Sequence, residues 1–181
     1  MNRYTDLSNK MNNQLLDVHQ YKLDIWVKYV LFDWHWWLGI FLVIIPLLIW
    51  LIYHQKEAVI SLLLAGLSTG ILSAFIDTAG HFLGWYDYQY DVLPIAPNYI
   101  PWDFVLIPIT VMFTIQLFKN INVYLKGLIL SALISFVGLP IIRAIGIYKL
   151  MDWHYFYSFI ALFIIFVLAY QMSKIKNEHF E

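Results

Sequence analysis

The residues able to do chemistry are few, and their spacing is specific. Ser73, Asp77 and His81 recur at four-residue steps, which sets three polar side chains on one face of a helix. A carboxylate and an imidazole so placed can hold a divalent metal or relay a proton. Asp77 and His81 are therefore candidate metal ligands, and with Asp103 they are candidate acid–base groups. Arg143 is the sole arginine beyond Arg3. A buried pair with Asp77 or Asp103 would neutralise both partners, whether for function or only to fix helix packing. Two short strings repeat, Asp33-Trp34-His35-Trp36-Trp37 and Asp152-Trp153-His154-Tyr155-Phe156. Their histidines, His35 and His154, at matched depth could supply two axial ligands to haem, but haem ligands usually sit deeper in their helices, which ranks haem last. With Tyr86 and Asp87 from an aromatic stretch, the candidate polar cluster is His35, Asp77, His81, Tyr86, Asp87, Asp103, Arg143 and His154. No HExxH, paired-aspartate or nucleophile-elbow string is present. The sequence therefore requires no cofactor, while leaving a divalent metal open.

These side chains are set in a chain of 181 residues that is 61% hydrophobic and 13% charged, with a mean hydropathy of +0.68. Soluble domains are about 45–50% apolar and about 25% charged, so the surplus places the chain in a bilayer. A net charge of −1 with no basic stripe excludes nucleic acid as a partner. The absence of cysteine excludes a disulfide scaffold or a thiolate metal site. Five segments have spanning length: Trp36 to Tyr53, Ala58 to Ala79, Trp102 to Phe118, Tyr124 to Gly146 and His154 to Gln171. The third is the shortest and demands local thinning of the bilayer. Backbone groups in lipid must be paired within their own segment, so these are helices. The expected fold is all-α, an integral membrane bundle of five transmembrane helices with an N-terminal amphipathic interfacial helix. Residues 1–35 form the N-terminal tail, 36–171 the membrane domain and 172–181 a polar C-terminal tail.

Within residues 14–31, Leu15, Leu16, Leu23, Trp26, Val27, Val30 and Leu31 mostly recur at three- and four-residue steps between Asp17, Lys22, Asp24 and Lys28. The pattern predicts a helix lying in the membrane interface or packed as a cap over the bundle. Pro46, Pro108 and Pro140 interrupt three spans and free the carbonyls of Leu42, Phe104 and Phe136, giving tolerated kinks or a widened cavity. Gly66, Gly70 and Ser73/Ala74 form a small-residue stripe that permits close helix approach.

An odd number of crossings puts the termini on opposite sides. Face A, which carries the N-terminus, holds all nine aspartates and seven of the eight tryptophans, while the three glutamates fall on face B. Interfacial aromatic belts occur at both faces, so a belt alone does not explain the skew. The loop 80–101 lacks lysine and arginine, whereas each face-B segment carries at least one, Lys119 among them. Face B is thus expected in the cytoplasm and the N-terminus outside. Residues 1–30 have no uninterrupted apolar core, so the first helix is expected to act as its own insertion signal. Asp33 and Asp152 are placed to cap the helices that follow them. Pro94, Pro97 and Pro101 give the 84–101 segment an extended path, either a lid over a pocket or a packed plug.

Asp77-Thr78-Ala79-Gly80, Gly84-Trp85-Tyr86-Asp87-Tyr88, Leu93-Pro94, Pro101-Trp102-Asp103, and Ile107-Pro108 through Met112 to Gln116 carry a resemblance. So do Ser135-Phe136 to Arg143 and Tyr157-Ser158. Over roughly residues 35–160 the chain resembles a family of small uncharacterised multipass membrane proteins of endospore-forming Gram-positive bacteria. The resemblance implies a five-helix protein of the cytoplasmic membrane and supplies no catalytic residue. The Asp33 and Asp152 strings lie outside its pattern.

Two functions fit these features. One is a binding or interaction module whose face A takes a lipid, a small ligand, another membrane protein or a second copy of the chain. The other is a membrane-embedded enzyme acting on a lipid or isoprenoid through its Asp/His site. A transporter fits less well, because the five spans show no internal repeat.

Overall fold

The computed structural model describes residues 2–95, 98–117 and 120–175. Pro97, Lys119, the end of the third predicted span at Phe118 and residues 176–181 of the polar tail lie outside the described residues.

Helix α1 (Arg3–Tyr29) begins where the Asn2 side chain accepts the N–H of Tyr4, well before the predicted 14–31, and ends just short of that range's close. At about 100° per residue, Tyr4, Leu7, Met11, Leu15, Val18, Ile25 and Tyr29 form one exposed stripe. Asp6, Lys10, Asp17, Asp24 and Lys28 occupy another face. After a turn at Phe32, Asp33 caps helix α2 (Trp34–Tyr53) as expected, its carboxylate accepting the N–H of His35 at 3.0 Å. A short turn at Lys56–Ala58 leads into α3 (Val59–Phe82).

The next two apolar segments each contain a wide, π-wound turn. Pro101–Leu106 winds this way before α4 (Ile107–Gln116). Ile134–Gly138 does so between α5 (Val123–Leu133) and α6 (Leu139–Ala144). Pro108 and Pro140 follow these turns directly, and Phe104 and Phe136 lie inside them. A proline cannot donate to the carbonyl four residues back, and a widened turn absorbs the missing bond. The predicted kinks at these two prolines thus take the form of π-turns. Helix α7 (Tyr155–Ser173) closes the chain.

Four helical segments are long and apolar enough to cross a membrane: Trp34–Tyr53, Lys56–Phe82, Val123–Ala144 and Tyr155–Ser173. The third predicted span, realised as Pro101–Gln116, is shorter than these. It nevertheless runs the length of the bundle. Gln116 Nε2 donates to the Tyr53 carbonyl (2.9 Å) and its Oε1 accepts the Gln55 N–H (2.8 Å), at the end opposite Trp102 and Asp103.

Helix α3 is central and packs chiefly against α7 and α4. The small-residue stripe makes the second contact possible: Gly66 faces Met112, and Gly70 faces Phe104, Pro108 and the Asp103 backbone. The main apolar core gathers at the face-A end around Tyr86, Tyr88, Tyr99, Trp102, Ile142, Ile147 and Tyr148.

Two three-residue strands, β1 (Tyr86–Tyr88) and β2 (Tyr148–Leu150), join as an antiparallel ribbon across that end. Both segments were expected as loops. Tyr86 lies opposite Leu150 and Tyr88 opposite Tyr148. Helix α1 is strapped over the segment after β1: Lys22 Nζ meets the buried Asp91 at 2.8 Å, and Trp26 Nε1 donates to the Asp91 carbonyl at 2.7 Å.

Candidate functional site

Beneath the ribbon two carboxyl groups face each other. Asp77 comes from the last turns of α3, and Asp103 from the π-turn that begins at Pro101. They approach within hydrogen-bonding reach. Ser73, one turn before Asp77, donates its hydroxyl to Asp103 Oδ1 at 2.5 Å. Tyr86 donates to Asp77 Oδ1 at 3.1 Å and Tyr88 to Oδ2 at 2.6 Å. Both phenols reach the same carboxylate because residues two apart on a strand share a face. Gly80 permits this, since a Cβ there would overlap the ring of Tyr86. Asp103 is wholly buried, and its Oδ2 has no hydrogen-bond donor.

Two full negative charges at this range in a low-dielectric interior repel strongly. A single proton between the carboxyls removes one charge and gives Asp103 Oδ2 the partner it lacks. The other charge is solvated by three hydroxyls, those of Ser73, Tyr86 and Tyr88. Burial, reinforced by the Asp77 carboxylate, pushes the phenols of Tyr86 and Tyr88 far above the usual tyrosine range, so both stay donors. Burial likewise raises Tyr148, the cross-strand neighbour of Tyr88. Below these groups lies a cavity of about 40 Å³, lined by Asp77, Tyr86, Tyr88, Tyr148, Trp102 and Trp153 among others.

The expected buried pair between Arg143 and Asp77 or Asp103 does not form. Arg143 is exposed, and its guanidinium lies 3.4 Å from the Tyr155 hydroxyl. The π-turn at 134–138 shifts the helical phase, so that Leu139 and Ile142 face inward and Arg143 outward. Two lysines are engaged elsewhere. Lys22 pairs with Asp91, and Lys126 donates to the carbonyls of Thr114 and Leu117 at the opposite end.

His81 turns away from Asp77 and meets Asp87 at 3.1 Å on the rim. Among the described residues no three histidine or acidic side chains gather around one point. The Asp77–His81 spacing therefore does not resolve into a metal-ligand set there. His35 is buried with both ring nitrogens engaged, Nδ1 with Asp33 at 2.5 Å and Nε2 with the Ile145 carbonyl at 3.0 Å. Its ring stacks on Tyr90 with centroids 3.6 Å apart. No nitrogen is left for iron, which removes the haem arrangement, and His35 instead ties the start of α2 to the turn after α6. His154 is exposed at the N-cap of α7 and makes no side-chain capping bond. That position was expected for Asp152, so the two repeated strings start their helices differently. The Asp33 carboxyl is held below the usual range by the His35 backbone N–H, and burial raises Asp91 against the opposing pull of Lys22.

Sequence reasoning placed Asp77, Asp103 and Tyr86 in one cluster but missed Tyr88, Tyr148 and Trp153. The alternation Tyr86-Asp87-Tyr88-Gln89-Tyr90 was the available signal, a period of two in a stretch read only as aromatic. Comparison with protein families, with curated proteins and with solved structures finds no match to this chain.

Proposed function

We propose that the chain is a multipass protein of the cytoplasmic membrane in which Pro101–Gln116 is a short fifth crossing. In this reading its face-A cavity binds a small cationic, hydrogen-bond-donating group. One observation carries the reading: a carboxyl pair with an undonated, buried oxygen sits beside a cavity, and the arginine expected to neutralise it points outward. A buried charge without a counter-charge is costly in a membrane and marks a site. The resemblance to small multipass proteins of endospore-forming bacteria agrees with this reading and rests on the motifs quoted above.

The test is thermal unfolding of the purified protein in nanodiscs with and without methylammonium. Protection is expected for the wild type and for His81→Ala, and loss of protection for Asp77→Asn. Equal protection of wild type and Asp77→Asn overturns the reading.

A second reading, a membrane enzyme acting on a lipid or isoprenoid, is favoured by the same carboxyl pair, since one protonated and one ionised group can give and take a proton. It requires turnover. Incubation with a membrane lipid extract should then yield a product that disappears with Asp103→Asn.

A further inference from the structure

The cavity shares part of its lateral wall with the outer flank of the bundle. Ile76 on α3, Trp153 before α7 and Ala161 on α7 line both the cavity and a second, outward-facing groove of about 360 Å³. The groove is completed by Tyr157, Ile160 and Ile164, each substantially exposed. It offers almost wholly apolar side chains, while the cavity behind it is lined by Asp77, one member of the carboxyl pair. From Trp153 to Ile164 the groove follows α7 for roughly 15 Å at 1.5 Å per residue. Its wall is the Trp153 indole, which stacks on Trp85 with centroids 4.7 Å apart, meets Tyr86 and Tyr157 edge-on, and donates its Nε1 to Ser158 Oγ at 2.8 Å.

An apolar channel on the flank of the bundle that ends at a buried negative charge is complementary to one kind of molecule. We propose that the α3–α7 groove and the Asp77 cavity together bind a single-chain amphiphile with a primary ammonium head, which enters from the bilayer past Trp153. The proposal rests on the binding reading above and adds the tail, the route and the head. The cavity is small, about 40 Å³, and a trimethylated head has no N–H to donate to the carboxylate, so a primary ammonium is the head that fits. The head donates to the Asp77 carboxylate, which lines the cavity, and neutralises the pair, and the chain lies along Ile160 and Ile164.

The test uses the full-length protein in nanodiscs, with empty nanodiscs subtracted, and dodecylamine, dodecanol, dodecyltrimethylammonium and methylammonium as probes. Beyond what partition into empty nanodiscs gives, dodecylamine should bind at least about tenfold tighter than methylammonium, because its chain packs along the groove while methylammonium touches the cavity alone. Ala161→Phe and Ile164→Trp should each remove that gain while leaving methylammonium binding intact, and Asp77→Asn should remove both. A chain-brominated dodecylamine should also quench the Trp85–Trp153 pair of the unsubstituted protein, with the same saturation, and this readout needs no variant to fold. Dodecanol or dodecyltrimethylammonium binding as tightly as dodecylamine overturns the ammonium head. Methylammonium binding without a chain gain, or dodecylamine binding without quenching, overturns the groove and leaves the cavity reading standing. Failure of both amines to bind overturns both.

Discussion

Asp77 accepts two phenolic hydroxyls and faces a second carboxyl, so its replacement tests several bonds at once. Asp77→Leu would orphan the Tyr88 hydroxyl, at a cost of about 1–3 kcal/mol when buried, and leave Tyr86 the longer bond to the Ile76 carbonyl at 3.3 Å. A clear fall in thermal stability in detergent is the expected outcome. Asp103→Asn should behave oppositely, keeping or raising stability, because an amide donates to Asp77 in place of the shared proton. The tyrosines add a pH signature. Their folded pKa values lie above the unfolded value of 10.0. Their contribution to stability is therefore complete below pH 10 and declines as pH rises past it, when the unfolded chain ionises first. Ultraviolet titration should show a class of tyrosines that stays protonated until the protein unfolds. Asp77 and Asp103 were legible as a site because ionisable groups within apolar segments are expensive. The fate of Arg143 was not, since the extra width of a π-turn leaves no mark in the spacing of residues.

The ribbon and the α1 strap carry the predictions that belong to whole elements. Gly80 lets β1 lie against α3, so Gly80→Ala should overpack this contact by about 1–3 kcal/mol and move Tyr86 off Asp77. Lower thermal stability together with loss of methylammonium protection would register both effects. Lys22 is the charged tie between α1 and the segment after β1. In Lys22→Met the Asp91 carboxyl loses the contact that opposes its upward shift, and the strap loosens. Hydrogen exchange should rise around Asp91 and Val92 while the α3–α4 contact keeps its protection. The helices themselves were readable from apolar run length, and the π-turns were foreshadowed by the prolines. The strands were not recognised because three residues each are too few for alternation to stand out among neighbouring aromatics.

At the scale of the molecule, five crossings place Asn9 and Lys174 on opposite sides of the membrane and four place them on the same side. The chain has no cysteine, so Asn9→Cys and Lys174→Cys can each be labelled with an impermeant maleimide on intact cells. Labelling of position 9 alone is expected. Labelling of position 174 alone would reverse the orientation, and labelling of both or neither would overturn the fifth crossing. The overall class was legible from composition, but the count turns on one short segment, Pro101–Gln116, whose far end meets Tyr53 and Gln55 through Gln116.

The ribbon also orders events during synthesis. Asp77, Asp103, Tyr86 and Tyr88 have all been made well before Tyr148 emerges, and β1 has no partner strand until β2 arrives. A chain interrupted between α5 and β2 therefore holds its two carboxyls under an unfinished roof, with tyrosines not yet fixed above them. The acidic centre is completed only by the last part of the bundle to be translated, so the nascent protein cannot close its cavity ahead of its own completion.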